Sequence, residues 1–276
     1  QHLIFANLLR KKIRTALTIG SFAVALFLFG ILAVVRGAFS GLVDAAGADR
    51  LLVTSMVSFI ESLPVSYRDR LLRIPGVKQV TSMKMTPGFY QDERNSFGLV
   101  AIDVENHRAM YPEFIIPDDQ WAAFAADREG CIVGEALAKK FHWKIGERIP
   151  VLSRGETWEF NIRGIYRGRQ PQHDADDFWY QRKLREEKVP RSKGYAGWYI
   201  VRVVHPDHAA QVVKAIDQEF ANSAWETRTG TEKAFLAAVV KQMGNVEFLI
   251  LSIGGVVFFT LLLVTGNTMA IAVRER

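Results

Sequence analysis

The stretch RKKIRTALTIGSFAVALFLFGILAVV (Arg10–Val35) decides what kind of protein this is. A cluster of Arg and Lys runs directly into Ala16–Val35, about twenty residues without a charge. At 1.5 Å per residue such a run reaches about 30 Å, the thickness of a bilayer's hydrocarbon core. A secretory signal has the same order of parts, but its apolar region is typically about 7–15 residues and ends at a small-x-small cleavage site. Here the run is longer, and Arg36 and Gly37 follow it without such a site. The reading is a retained span over 16–36, set against a cleaved signal and a buried core helix.

A second apolar stretch, FLILSIGGVVFFTLLLVTGNTMAIAV (Phe248–Val273), is long enough to cross with tilt. Gly254 and Gly255, near Ser252, either admit a neighbouring helix at close range or are simply tolerated in a span. Arg10, Lys11, Lys12 and Arg14 precede the first stretch, and Arg274 and Arg276 follow the second. The positive-inside rule places both flanks in the cytoplasm, with Arg10, Lys11, Lys12 and Arg14 as a membrane anchor, and puts residues 37–245 outside. Leu3, Phe5, Leu8 and Leu9 beside the basic cluster suit an amphipathic helix on the membrane surface. The chain opens on Gln1 and stops on Arg-Glu-Arg, which reads as a piece cut from a longer polypeptide.

The 276 residues are 49% hydrophobic and 23% charged, with a formal net charge of +6. The mean hydropathy of +0.05 averages two apolar ends with a middle of ordinary soluble composition. The basic excess is modest, and no Lys/Arg stripe interleaves with aromatics, so nucleic-acid binding is set aside. The single Cys131 excludes an internal disulfide framework.

The middle alternates β and α. DRLLVTS (49–55) reads as a strand, and PVSYRDRLLRIPGV as a helix closed by Pro75-Gly76, with Tyr67, Leu71, Leu72 and Ile74 sharing a face. KQVTSMKMTPGFYQ and SFGLVAIDV follow as strands. Later GWYIVRVV (197–204) is a strand, HAAQVVKAIDQEFANS a helix with Val212, Val213, Ile216 and Phe220 as its apolar stripe, and AWETRT a short strand. The outer parts thus read β-α-β-β and β-α-β, which predicts one mixed sheet with helices on a single face, a split βαβ arrangement. Between them, from 118 to 193, GCIVGEALAKKFHWKIGERIPV and TWEFNIRGIYRG predict a β-rich insertion, with a helix over Glu135–Phe141 and Trp158, Phe160, Ile162 and Ile165 on one face. TEKAFLAAVVKQMGN predicts a stalk helix leading into the second span, with a short amphipathic helix on the outer leaflet as the alternative.

No phosphate-binding loop, zinc-protease motif, paired C-x-x-C or nucleophile elbow occurs. In QPQHDADDFWYQRK, His173, Asp174, Asp176 and Asp177 can bind a hard cation, but the EF-hand spacing and its closing Glu are missing, and a solvated loop is the simpler reading. Phe178, Trp179 and Tyr180 beside it either tuck into the insertion or contact a partner or apolar cargo. Cys131 sits in an apolar strand as a small buried residue, and Glu135 and Glu147 read as a helix-start charge and a turn charge. No catalytic, cofactor-binding or metal residues are assigned, and the segment is read as non-catalytic.

NLLRKKIRTALTIGSFAVALFLFGIL at the first span, GCIVGEALAKKFHWKIGERIPV with FNIRGIYRG in the middle, and GNTMAIAVRER at the end resemble ABC transporter permease subunits of the MacB/FtsX/LolC type, also called mechanotransmission or type VII exporters. The resemblance covers essentially the whole chain. It implies an α+β periplasmic core, with a ferredoxin-like porter part and a β-rich insertion, between transmembrane helices one and two of four. The division is a cytoplasmic juxtamembrane helix (1–15), a span (16–36), the first porter half (37–117), the insertion (118–193), the second porter half (194–230), the stalk (231–245), a second span (246–273) and the start of a cytoplasmic coupling region (274–276), carried by Arg274, Glu275 and Arg276. It further implies the bacterial inner membrane, a second permease copy or paralogue, and a separate ATPase subunit that binds the ATP. A periplasmic adaptor or a lipoprotein carrier is a further implied partner, besides the lipids. The function implied is coupling of cytoplasmic ATP hydrolysis to periplasmic motion for export or extraction. A regulator of a periplasmic hydrolase and a two-span sensor are the rival readings.

Overall fold

The computed structural model describes residues 19–20, 23–24, 26–27, 30–31, 34, 47, 49–170, 173, 176–243, 252–256 and 258–260. The chain divides into two compact units, one of Gln1–Gly41 with Ala237–Arg276 and one of Leu42–Leu236. In the first unit the described residues are helical, and Leu26, Phe27, Val256 and Phe259 are exposed. Among the described residues no helix is long and apolar enough to cross a membrane. Most of the two predicted spans, with Arg10, Lys11, Lys12, Arg14, Arg274, Glu275 and Arg276, lies outside the described residues.

The second unit is α+β. Its porter part is built from β1 (Arg50–Ser55), α1 (Tyr67–Leu72) and β3 (Val77–Tyr90), then β11 (Trp198–Val203), α6 (Ala209–Phe220) and β12 (Thr227–Thr231). Pairing is antiparallel in the order β12-β1-β11-β3, so β11 lies between β1 and β3 as a split βαβ requires. A two-residue strand, β2 (Leu63–Pro64), pairs with β10 (Tyr195–Ala196) beside this sheet. Both helices cover one face. Tyr67 and Leu71 from α1 and Val212, Ile216 and Phe220 from α6 pack on Leu51, Val53, Val80 and Val201. The i, i+4 spacing of Val212, Ile216 and Phe220 brings all three to the sheet. Tyr67 stacks on Phe220 at 4.1 Å, and the Arg70 guanidinium lies 4.5 Å over the Phe220 ring. Leu72 departs from the predicted face and is 38% exposed, because Ile74 is brought under the sheet by the turn at Gly76. Gly76 has φ +90°, and a Cβ there would lie 2.9 Å from Val212, so only glycine makes this turn without strain.

The predicted insertion does not fold apart from this sheet. β4 (Asp92–Ile102), β6 (Gly130–Gly134), β7 (Arg148–Ser153), β8 (Glu156–Gly168) and β9 (Phe178–Gln181) close a ring with β3. Around it β3 pairs β4, β4 pairs β9, β9 pairs β6, β6 pairs β8, β8 pairs β7, and β7 returns to β3 through Phe89 and Leu152. The porter strand β3 is therefore a stave of a small barrel. Its interior is filled by Leu99, Cys131, Val151, Trp158, Phe160, Ile162, Phe178 and Tyr180, all buried. A bulge between Cys131 and Ile132 pairs them with Ile162 and Gly164, leaving Arg163 as the extra residue. That extra residue is why Ile165, odd in number, faces the same core as Ile162, while Tyr166 turns to the other side. The helix over Glu135–Phe141 (α4) appears where predicted and closes one end of the barrel with Leu137 and Ala138. A helix after β9, α5 (Arg182–Lys188), crosses the other end and inserts Leu184. Two further helices, α2 (Val104–Met110) and α3 (Asp118–Ala126), and the short β5 (Phe114–Ile115) were not anticipated from the sequence.

Truncating a fully buried aromatic under α6 should cost far more than trimming α1's exposed leucine. Phe220→Ala is expected to lower unfolding stability by about 3–5 kcal/mol, and Leu72→Ala by about 0.5 kcal/mol or less. Denaturant unfolding of the outer domain, followed by tryptophan fluorescence, measures both.

Candidate functional site

The face of the porter sheet opposite α1 and α6 carries a second apolar layer, Leu52, Met110, Tyr111, Trp198 and Ile200. Phe59 folds over it and stacks on Trp198 at 4.6 Å and on Phe235 at 4.9 Å. Phe235 belongs to α7 (Glu232–Met243), which starts directly where β12 ends. Between these parts lies a cavity of about 290 Å³, walled by aromatic rings and, at its polar end, by Arg50, Glu113 and Glu232.

Arg50 is the first residue of β1 and only 4% exposed. Its Nη1 lies 2.6 Å from Glu113 Oε1, and its Nε donates to Glu232 Oε2 at 2.5 Å. The guanidinium sits 4.6 Å over the Tyr111 ring, and the Tyr111 hydroxyl donates to Glu232 Oε1 at 3.2 Å. Burial works against the charge on Arg50, but Glu232 and Glu113 outweigh it and hold the guanidinium fully protonated. Burial and the Glu232 charge together push the Tyr111 phenol well above its usual range, so it stays a hydrogen-bond donor. Arg202 lies directly opposite Arg50 in the β1–β11 ladder. That like-charge contact is relieved because Arg202 pairs with Asp49 at 2.9 Å and donates to the Ala109 and Met110 carbonyls at the C-terminus of α2. One charge cluster thus joins the start of β1, the end of α2, the loop after it and the first turn of α7.

His107, on α2, also lines the cavity. It is 1% exposed, meets Trp179 edge-on at 4.7 Å and Tyr111 at 5.0 Å, and neither ring nitrogen has a hydrogen-bond partner. Burial, reinforced by the Arg50 charge, pushes its pKa down to about 3, so the ring is neutral.

Of the residues singled out from sequence, His173, Asp176, Asp177 and Trp179 also line this cavity, whereas Phe178, Tyr180, Cys131, Glu135 and Glu147 lie away from it. Phe178, Trp179 and Tyr180 form β9 and are 0%, 2% and 0% exposed. Phe178 and Tyr180 fill the barrel, and Trp179 stacks on Tyr166 at 3.9 Å on its outer side. Of the two readings, packing into the insertion and contact with a partner or cargo, the structure has the packing: the apolar run sits in a strand covered on both faces, and of the three rings Trp179 lines the cavity. His173 Nδ1 accepts from the Gln170 amide at 3.3 Å, and Asp177 lends its backbone to Gly134. Asp174 lies outside the described residues, and among those described no group of three or more His, Cys, Asp or Glu is arranged to hold a metal. Cys131 is buried and its thiol is pushed up by burial. Glu135 pairs with Lys139 at 3.1 Å and Glu147 accepts from the Lys144 amide at 2.9 Å, so the two serve separate local structures. Arg50, His107, Tyr111, Glu113 and Glu232 were not picked out from sequence. The one signal for them was an arginine directly preceding the apolar Leu51–Val53 of the strand RLLVTS.

The family described as the MacB-like periplasmic core domain matches residues 15–219, and the chain belongs to that family, one of ABC transporter permeases. Among solved structures it is similar to the extracellular domain of the ABC-type transporter YknZ from Gram-positive bacteria, at 14% identity over 66% of this chain and 98% of that one, with a TM-score of 0.48. It is also similar to the periplasmic region of MacB from Actinobacillus actinomycetemcomitans, at 11% identity over 72% and 95%, with a TM-score of 0.49. A domain of a putative permease from Porphyromonas gingivalis matches at 14% identity over 66% and 88%, with a TM-score of 0.42. No curated protein sequence matches the chain.

Two outcomes follow from the charge cluster and its histidine. Arg50→Met leaves Glu113 and Glu232 facing each other without a cation, and is expected to cost about 3–5 kcal/mol in denaturant unfolding. For His107, the folded pKa of about 3 lies below the usual 6.5, so the unfolded chain binds the extra proton. The stability this contributes is present above about pH 6.5 and is lost as pH falls towards 3, at most about 5 kcal/mol. Melting temperature against pH should therefore fall less steeply for His107→Leu than for the unsubstituted chain across that window.

Proposed function

We propose that the chain is the non-catalytic permease subunit of an ABC transporter. In this reading a separate ATPase subunit binds and hydrolyses ATP in the cytoplasm, and the resulting motion reaches the outer domain through α7 to move a substrate across or out of the inner membrane. A second permease copy completes the complex, and a periplasmic adaptor or lipoprotein carrier receives the substrate. Membership of the MacB-like periplasmic core domain family supports the transporter part. The observation that supports the coupling part is the Arg50 cluster, because it ties the first turn of α7 to the first residue of β1. Any displacement of α7 acts on the central sheet through that contact. No catalytic machinery is invoked in this chain; its task is mechanical, and the chemistry belongs to the ATPase.

The test uses the full-length protein expressed with the ATPase encoded beside it. The two should co-purify, and ATP with vanadate should change amide hydrogen exchange across Thr227–Phe235 relative to the nucleotide-free complex. If no ATPase associates and exchange in that segment ignores ATP, the coupling reading fails. A chain-separation defect on depletion, with transport intact, would instead indicate the hydrolase regulator.

A further inference from the structure

The end of the barrel beneath α5 gathers three basic side chains that form no ion pair among the described residues. The sheet register sets this out. Lys84 on β3 pairs with Ala101 on β4, and Ala101 pairs with Tyr180 on β9, so all three side chains share the inward face at this end. The β7–β8 turn arrives at the same end, because Ser153 Oγ donates to the Pro87 carbonyl at 3.0 Å, and Arg154 follows it on an exposed turn with φ +56°. From above, α5 inserts Leu184 into the barrel core and buries Arg185 beside it, 6% exposed. Arg185 and the Tyr180 hydroxyl are buried against each other, and no carboxylate among the described residues pairs with this guanidinium. Lys84, half-buried, donates to the Ile60 carbonyl and has two further N–H donors.

The carboxylates next to Arg185 in sequence are paired with other arginines, and Glu156, two residues after Arg154, is exposed at the start of β8. Glu186 pairs with Arg182, Glu187 with Arg128, and Glu61 accepts from the Ser55 hydroxyl. Among the described residues, Lys84, Arg154 and Arg185 have no ion pair, in contrast to Arg50, whose charge is met by two glutamates. Burial first, and then the neighbouring Arg185 and Arg154, push the Lys84 ammonium below its ordinary range. Desolvated like charges repel, and a buried guanidinium without a carboxylate costs free energy. A fold keeps such an arrangement at a net advantage where an anion completes it.

We propose that the barrel end under α5 is a binding site for a phosphate group, held by Lys84, Arg154 and Arg185. Two guanidinium groups and an ammonium suit a tetrahedral oxyanion, which accepts several charge-assisted hydrogen bonds at once. A carboxylate presents two oxygens in one plane, whereas a phosphate group presents its oxygens tetrahedrally and can meet donors arriving from three elements. The phosphate comes either from free inorganic phosphate or from a phospholipid headgroup. This site is separate from the Arg50 cluster, and its failure leaves the transporter reading untouched.

The experiment uses the full-length protein in detergent at fixed ionic strength, titrated calorimetrically with inorganic phosphate and, as a control, chloride. In parallel, native mass spectrometry follows phosphatidylglycerol retained from nanodiscs. Arg154→Gln lies on an exposed turn and Lys84→Gln at a half-buried position, so both keep the barrel, which circular dichroism checks; Arg185→Gln is added where it folds. Saturable phosphate binding that weakens at least tenfold in Arg154→Gln and Lys84→Gln supports the site with free phosphate as its ligand. Retained phosphatidylglycerol that is lost in the same variants supports it with a headgroup as ligand. The proposal is overturned if phosphate gives no saturable heat beyond chloride and lipid retention is equal in all proteins, or if the variants bind both probes as the unsubstituted chain does.

Discussion

Arg50 is taken out of water at the first residue of the central strand, and the surrounding architecture is arranged to make that tolerable. Removing an unpaired charge from water costs several kcal/mol, so a buried guanidinium persists only where carboxylates reach it. Here they come from segments distant in sequence, Glu113 after α2 and Glu232 at the start of α7. Tyr111 lies under the guanidinium and holds Glu232 by a hydrogen bond. The ladder partner Arg202 must then find its own acceptors, which it does at Asp49 and at the carbonyl end of α2. The placement of α2, the loop after it and the first turn of α7 thus all answer to one charge. A buried ion pair adds little net stability over an apolar substitute, and its value lies in fixing which segments meet.

The second constraint is shared backbone. β3 is long enough to serve the porter sheet through β11 and the barrel through β4 and β7. Two separate apolar cores therefore hang on one strand, one under α1 and α6 and the other inside the barrel. Close-packed cores transmit displacement because they have few voids to absorb it. A hinge between porter and barrel would need a flexible linker, and a continuous hydrogen-bonded strand stands in its place.

What could be read from the sequence follows from how local each signal is. The strands around Leu51–Val53 and Tyr199–Val201, the α6 stripe of Val212, Ile216 and Phe220, and the helix at Glu135–Phe141 are all where periodicity and turn residues put them. Leu72 was misplaced because a helix of under two turns ends before its stripe is established, and the turn at Gly76 decides which residue goes under the sheet. Phe178–Tyr180 gave no alternation, since a strand buried on both faces has none, and their polar neighbours left burial and partner contact both open. α2 and α3 are short, and α3's apolar residues, Trp121 and Phe124, are too few to mark a helix. The candidate site was the least legible part. Arg50, Glu113 and Glu232 are separated by most of the domain, and no spacing rule brings together residues that only the closed sheet makes neighbours.

The kind of contact matters to the proposed coupling. An aromatic pair such as Tyr67 and Phe220 exposes apolar surface to water when it parts, and its cost rises with every Å² uncovered. Arg50 and Glu232 behave differently. Their contact is electrostatic and directional, and withdrawing Glu232 leaves the buried Arg50 guanidinium with Glu113 as its remaining carboxylate, so the contact resists separation. Glu232 is already 15% exposed and sits on the first turn of its helix, so water has a short path to it. The aromatic stack of Phe59, Trp198 and Phe235 beside it resists in the same sense, because parting those rings exposes them. The charge cluster and the ring stack thus fasten the start of α7 to the sheet by two different physical contacts.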